Sequence, residues 1–276
     1  MNAIFIVAGK ELRDTLRNRW ALAITLIFAM LAIGISYFGA AASGTVGFTS
    51  LATTIVSLAS LAIFLIPLIA LLIAYDSIVG EEEKGTLLLL MAYPLSRSQL
   101  LLGKFLGHGL VLALSTAVGF GLSGLLIGVL SHEAGNWALY RAFGFFILSA
   151  SLLGWVFIAI AYLISASVSE KAHAAGLALL VWFLFVLIFD LALLGVLVVT
   201  KGAVGRGLFS YLLLLNPTDV FRLANLAGFH AARAASGLTA IAPTGLLHPG
   251  RLSAVLVAWV VVPLGLAVWR FNRRKI

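Results

Sequence analysis

The side chains able to do chemistry are few, and most of them sit together. Residues 81–104 read EEEKGTLLLLMAYPLSRSQLLLGK, an acidic run, an apolar stretch, a proline turn and a basic return. The apolar stretch is too short to cross a bilayer, which takes roughly 20 helical residues. Gly85 interrupts the helix that Glu81 and Glu83 begin, and Pro94 ends or bends the one that Thr86 starts. Ser96 is suited to cap a new helix, with Gln99 as its capping-box partner. Lys84, Arg97 and Lys104 supply the opposite charge. This residue set is suited to ion pairing at a membrane surface rather than to bond making. Its expected product is a short helix parallel to the membrane that takes up a push from a soluble partner. An ordinary amphipathic loop is the plainer alternative.

Other chemical signatures fall short. Gly9-Lys10 and Gly103-Lys104 lack both the upstream glycine and the following hydroxyl of a phosphate-cradling loop. The chain is therefore not expected to cradle nucleotide phosphates by that route, and no cofactor bound by it and no catalytic residue are expected. His132-Glu133-Ala134-Gly135-Asn136 begins like a zinc-protease helix but carries asparagine at the second ligand position. The chain has no cysteine and three methionines, of which Met30 alone lies well inside an apolar run. A ladder of soft ligands for Cu(I) cannot be built from that inventory, and no metal site is expected. Asp190 is the one acidic residue deep in an apolar run. A charge at a span centre costs about 2.5–3.5 kcal/mol, so it needs a partner, a water cavity or a proton. It is either a relay or dimer-interface group, or a carboxyl closer to the outer surface. Asp219 and Arg222, three apart, can pair on one helix.

The elements that must position these groups are membrane helices. Hydrophobic residues make up 62% of the chain and charged ones 10%, against about 45–50% and about 25% in soluble domains. Apolar runs place six spans near 21–40, 54–75, 106–130, 143–166, 173–199 and 252–269. Ala40-Ala41-Ala42 resembles a signal-peptidase site, but the run before it is too long for a signal core, and it is read as an uncleaved helix. In residues 1–20, Ile4, Ala8, Leu12, Leu16 and Trp20 form one face and Lys10, Arg13, Asp14, Arg17 and Asn18 the other. That pattern describes an amphipathic helix in the membrane surface, or an extension of the first span. Gly119, Gly124 and Gly128, with Ser115 and Ser123, give the third span a small-residue face, expected to pack within one subunit. Residues 200–250 suggest short interfacial helices at Phe209–Leu215 and Val220–Phe229. They either dock a partner through Asp219, Phe221 and Arg222 or lie as a lid on the bundle.

Orientation follows from lysine and arginine. With the N-terminus inside, inner segments hold 12 of these residues and outer ones 6, so both termini are expected in the cytoplasm. The net charge of +8 lies beside apolar runs without interleaved aromatics. That suits anionic lipid and argues against nucleic acid.

The run Glu81-x-Glu83-Lys84-Gly85-Thr86-Leu87, then Pro94-x-Ser96-Arg97 and Gly103-Lys104, resembles the cytoplasmic segment of ABC-2-type transporter permeases. Lys10-Glu11-Leu12-Arg13-Asp14 and Arg17-x-Arg19-Trp20 look like that family's elbow helix. Glu82 departs from the arginine that many members carry. The resemblance implies an all-α polytopic fold: one transmembrane domain over 1–276, with an elbow helix at 1–20, a coupling helix within 76–104 and a periplasmic segment at 200–250. It implies a homodimer in the bacterial inner membrane, two copies of a cytoplasmic ATPase and a periplasmic accessory subunit. Asn216-Pro217-Thr218-Asp219-Val220-Phe221-Arg222-Leu223 is similar to a subgroup that serves maturation of the copper centres of nitrous oxide reductase. An ATP-driven exporter of a small substrate (sulfur species, copper or lipid-like) and a secondary transporter are the alternatives.

Overall fold

The computed structural model describes residues 3–17, 19–38, 51–130, 137–201, 206–227 and 248–274. In chain order the helices are α1 (Ala3–Arg17), α2 (Trp20–Phe38), α3 (Leu51–Ala74), α4 (Val79–Glu83), α5 (Thr86–Met91), α6 (Arg97–Leu130), α7 (Trp137–Ser167) and α8 (Lys171–Phe183). A π-helical turn, Leu184–Ile188, leads into α9 (Phe189–Val199), followed by α10 (Arg206–Leu214), α11 (Pro217–Ala227) and α12 (Pro249–Arg273). The turn formers at 39–50, the histidine motif at 132–136, residues 228–247, the Trp20 side chain and Lys275 lie outside the described residues.

Among the described residues, five stretches are long and apolar enough to cross a membrane, and six do so when the bent pair α1–α2 is counted as one. The fold is an all-α polytopic membrane protein. Helix starts differ from the expected ones. α6 begins at Arg97 rather than near 106, because the Ser96 cap starts it and no breaker follows. α7 begins at Trp137 rather than 143. At roughly 1.5 Å per residue α6 is about 50 Å long, well beyond a bilayer core of about 30 Å. It is therefore longer than the core it crosses, and its first turns lie beside the connector formed by α4 and α5.

α7 is the hub, packed against α3, α6, α11 and α12. Small residues set its spacing. A Cβ on Gly154 would lie 2.2 Å from Leu112 Cδ2, and one on Gly124 would lie 2.9 Å from Phe143. Gly119 meets Phe28 of α2 in the same way, at 2.8 Å. The small-residue face of the third span is thus used inside the chain. Rings of Phe28, Phe120, Phe146 and Phe221 follow one another with centroids 4.9 to 5.9 Å apart, joining α2, α6, α7 and α11. Indole N–H groups have no water to bond in this medium. Trp155 donates to the Gly109 carbonyl at 2.9 Å, Trp182 to Phe64 at 2.9 Å and Trp259 to Leu214 at 3.1 Å.

Just before α2 the chain passes through a left-handed residue, Arg19 with φ 57°, and α1 meets the following helix at 67°. It lies along the start of α6 because two glycines remove the side chains between them. A Cβ on Gly103 would be 2.6 Å from Val7 Cβ, and one on Gly107 would be 2.5 Å from Glu11 Cβ. Replacing Gly107 by alanine should therefore cost about 1–3 kcal/mol, and by leucine should detach α1. Limited trypsin digestion in detergent checks this, with cleavage at the exposed Arg13 and Arg17 rising for the leucine variant.

Candidate functional site: the charged joint around the connector

The connector has the expected form. Gly85 takes φ 69°, a left-handed conformation that separates α4 from α5. Ser96 and Gln99 form the reciprocal capping box: the Ser96 N–H donates to Gln99 Oε1 at 2.9 Å and the Gln99 N–H to Ser96 Oγ at 3.1 Å. Pro94 sits in the turn before it. A second cap comes from a distant helix. Ser165 Oγ of α7 accepts the N–H groups of Ile78 and Val79 at 3.0 and 3.1 Å, fixing the start of α4 against the bundle.

The centre of the joint is Lys104. Its ammonium lies 2.7 Å from Glu11 Oε1 of α1 and 2.7 Å from Glu81 Oε1 of α4, with 5% of the side chain exposed. One cation thus ties three elements together. Glu81 is held from its other side by Thr86, whose hydroxyl donates to Oε2 at 2.8 Å. Behind Glu11, His108 Nε2 lies 3.6 Å from Oε2, while its Nδ1 is 2.9 Å from the Tyr162 hydroxyl and 3.4 Å from Ser77. A dipolar chain therefore runs from α1 through α6 to α7.

Other charges fasten the connector outward. Lys171 Nζ pairs with Asp76 at 2.7 Å, and the Lys171 N–H donates to Glu83 Oε1 at 2.6 Å, a carboxylate placed at the N-terminus of α8. Glu82 pairs with Arg274 at 2.5 Å. Arg97 Nη1 donates to the carbonyls of Phe271, Asn272 and Arg274 at the C-terminal end of α12. Of the elbow charges, Glu11 turns inward. Lys10 pairs locally with Asp14 at 3.1 Å, and Arg13 and Arg17 are exposed.

Glu11, Glu81, Glu82, Glu83, Arg97 and Lys104 thus bind this chain's own elements, whereas Arg13, Arg17 and Lys84 are exposed. The surface left free is apolar, and sequence reasoning passed over it: Leu88 is 62%, Leu89 66% and Tyr93 66% exposed, with Lys84 and Pro94 exposed alongside. The signal was present as leucines in a stretch too short to cross a membrane.

At the opposite end, α11 is built from its first residues. Asn216 Oδ1 accepts the Thr218 N–H at 3.0 Å, which caps the helix. Asn216 Nδ2 donates to the Phe185 carbonyl at 2.8 Å, and Thr218 Oγ1 to the same oxygen at 3.3 Å. Phe185 lies in the π-helical turn, where the ordinary helical pairing is interrupted. Arg222 Nη2 reaches both Asp190, at 3.0 Å, and Asp219. Asp190 therefore has its partner, and the pairing of Asp219 with Arg222 along one helix is present. Phe221 and Asp219 are buried in the chain's own packing. Neither offers a contact surface in this conformation, and of the three residues expected to dock a partner only Arg222 is partly open. Asp219 lies outside the membrane-crossing helices. Burial pushes its carboxyl up to about 6, Asp190 adds to the rise, and Arg222 opposes it.

Lys104→Met should strand two carboxylates and cost about 3–5 kcal/mol, read as a lower unfolding temperature in detergent. Adding Glu11→Gln and Glu81→Gln to Lys104→Met should recover most of the loss. For Asp219, the raised folded pKa means that the native state holds its proton more tightly than the unfolded one. Its contribution is fullest below the ordinary carboxylate range and is lost as pH rises toward about 6. An Asp219→Asn variant should flatten that part of the stability profile.

The whole chain matches a family model described as ABC-2 family transporter protein, over residues 5–276. It is 56% identical over 274 residues to the probable ABC transporter permease protein NosY of Stutzerimonas stutzeri, covering 99% of each chain. It is likewise 56% identical over 276 residues to the protein of that name from Pseudomonas aeruginosa, covering 100% of each. With the helical bundle already described, these matches show that the chain belongs to the ABC-2 family of transporter proteins.

Proposed function

We propose that the chain is the membrane half of an ATP-driven complex and that its connector receives the motion of a separate nucleotide-hydrolysing subunit. The observation that carries this reading is the exposed Leu88–Leu89–Tyr93 surface, with Lys84 beside it, on a connector whose Asp76, Glu81, Glu82 and Glu83 are bound to its own bundle. Apolar groups in water on a rigid, multiply fastened helix are suited to docking. A push there moves α4, then Lys104, and with it α1 and α6 together. Flexible attachment would dissipate the push, whereas a buried ion-pair joint shared by three elements passes it on.

The complex we propose contains two copies of this chain, two copies of the ATPase carrying ATP and Mg, and a periplasmic accessory subunit, with both termini of this chain in the cytoplasm of a bacterial cell. Its similarity to NosY permeases supports a role in maturing the copper centres of nitrous oxide reductase. The work delivered is mechanical. Met30 points out of the bundle, 68% exposed, and His108 is committed to Tyr162 and Ser77. Neither is placed to hand a copper ion along a path.

Leu88→Asp combined with Leu89→Asp should lower copurification of the ATPase subunit by about tenfold or more, the scale of one buried hot-spot residue. The variant should keep its unfolding temperature, since both side chains are exposed. Retained copurification and ATP-dependent maturation of the reductase in this variant would refute the docking surface. Lys104→Met should do the reverse, keeping the ATPase bound while maturation falls.

A further inference from the structure

A cavity of about 380 Å³ opens beside the charged cluster at the far end of the bundle, within the range of small-molecule sites. Its walls are Leu193, Leu194 and Leu197 of α9, Phe209 and Leu213 of α10, and Leu223 and Leu226 of α11, and its polar corner is Asp190, Arg222 and Asp219. From Lys171 to Asp190 the helix climbs about 28 Å at roughly 1.5 Å per residue. A hydrocarbon core is about 30 Å thick, so the corner sits at its opposite edge. The apolar wall continues outward onto Leu191 and Leu194, which are 66% and 57% exposed on the least buried membrane helix. Among the described residues, the cavity's apolar wall therefore runs sideways onto an exposed helix face.

We propose that this cavity holds a zwitterionic aminophospholipid of the surrounding bilayer, its ammonium on Asp190, its phosphate on Arg222 and the start of an acyl chain against Leu193, Leu194 and Leu197. Charge complementarity selects this occupant. Two carboxylates around one guanidinium leave the corner net negative, which disfavours an anionic headgroup. The mostly apolar lining disfavours a hydrated ion. Asp190 and Arg222 are each about one-third exposed, at 34% and 35%, so both signs of charge face the opening side by side. Among the described residues, Nη2 alone makes the Arg222 contacts to Asp190 and Asp219. The remaining donors of the fork are left for a phosphate. The three-donor ammonium suits a carboxylate that already accepts from one side only.

The test uses the full-length chain in nanodiscs of mixed phosphatidylethanolamine, phosphatidylcholine and phosphatidylglycerol, followed by native mass spectrometry of retained lipid. The wild type should keep phosphatidylethanolamine over each of the others by about tenfold, the worth of one charge-assisted hydrogen bond. Asp190→Asn should remove that preference. Leu194→Trp, at an exposed position outside the ion cluster, should fill the mouth and lower retention of phosphatidylethanolamine to the level of the other lipids. If Asp190→Asn fails to assemble, Leu194→Trp decides alone. Equal retention of the choline lipid, which cannot donate a hydrogen bond from its head, overturns the proposal. Preference for phosphatidylglycerol, or unchanged retention in Leu194→Trp, overturns it too. Displacement of the lipid by soluble phosphoethanolamine would show that the headgroup alone is recognised and would overturn the membrane-lipid assignment.

Discussion

A charge withdrawn from water must find its opposite, and most of this molecule's architecture follows from how that demand is met at Lys104. The ammonium is nearly sealed from solvent, and desolvating it is costly unless geometry and hydrogen bonding are good. Its two carboxylates come from α1 and α4, so neither element can leave without exposing the others to an unpaired buried charge. Closeness of α1 and α6, set by Gly103 and Gly107, is what brings Glu11 within reach. The glycines and the ion pair are parts of one device: remove the first and the second lengthens.

The same demand shapes the other end of the bundle by different means. Asp190 could have been neutralised by a proton or by water. Instead the chain folds back after α9 and supplies Arg222 from α11, with the π-helical turn offering the Phe185 carbonyl as a landing point. Lone polar groups elsewhere are handled more cheaply, by indoles reaching neighbouring carbonyls and by hydroxyls bonding back one helical turn, as Thr116 does to Leu112.

Periodicity and composition made the membrane helices legible, because a run of apolar residues in lipid has one stable solution. The punctuation was legible for the same reason: Gly85, Pro94 and the Ser96–Gln99 pair act locally, and local rules need no tertiary knowledge. What could not be read was partnership across long separations. Nothing near Glu82 announces Arg274, and nothing near Asp190 announces Arg222. Glu81 and Arg97 read as surface groups because charge usually faces water, yet one joins a buried pair and the other caps α12. Phe221 looked available for docking because it sits in a polar-flanked segment, and its burial depends on the aromatic row from α2, α6 and α7. The leucines of α5 carried a signal of their own, an apolar run too short to cross a membrane, but which of them are covered depends on packing: Leu87 is buried and Leu88 and Leu89 are exposed.

The contacts of α12 carry one more consequence, for biogenesis. Glu82 and Arg97 are translated early, but the groups that pair with them, Arg274 and the carbonyls of Phe271 and Asn272, belong to the end of a helix translated far later. Until that helix enters the bilayer, the connector is held on one flank only. A nascent chain at that stage carries a half-fastened connector, and integration of α12 is the step that completes its ion pairs and hydrogen bonds.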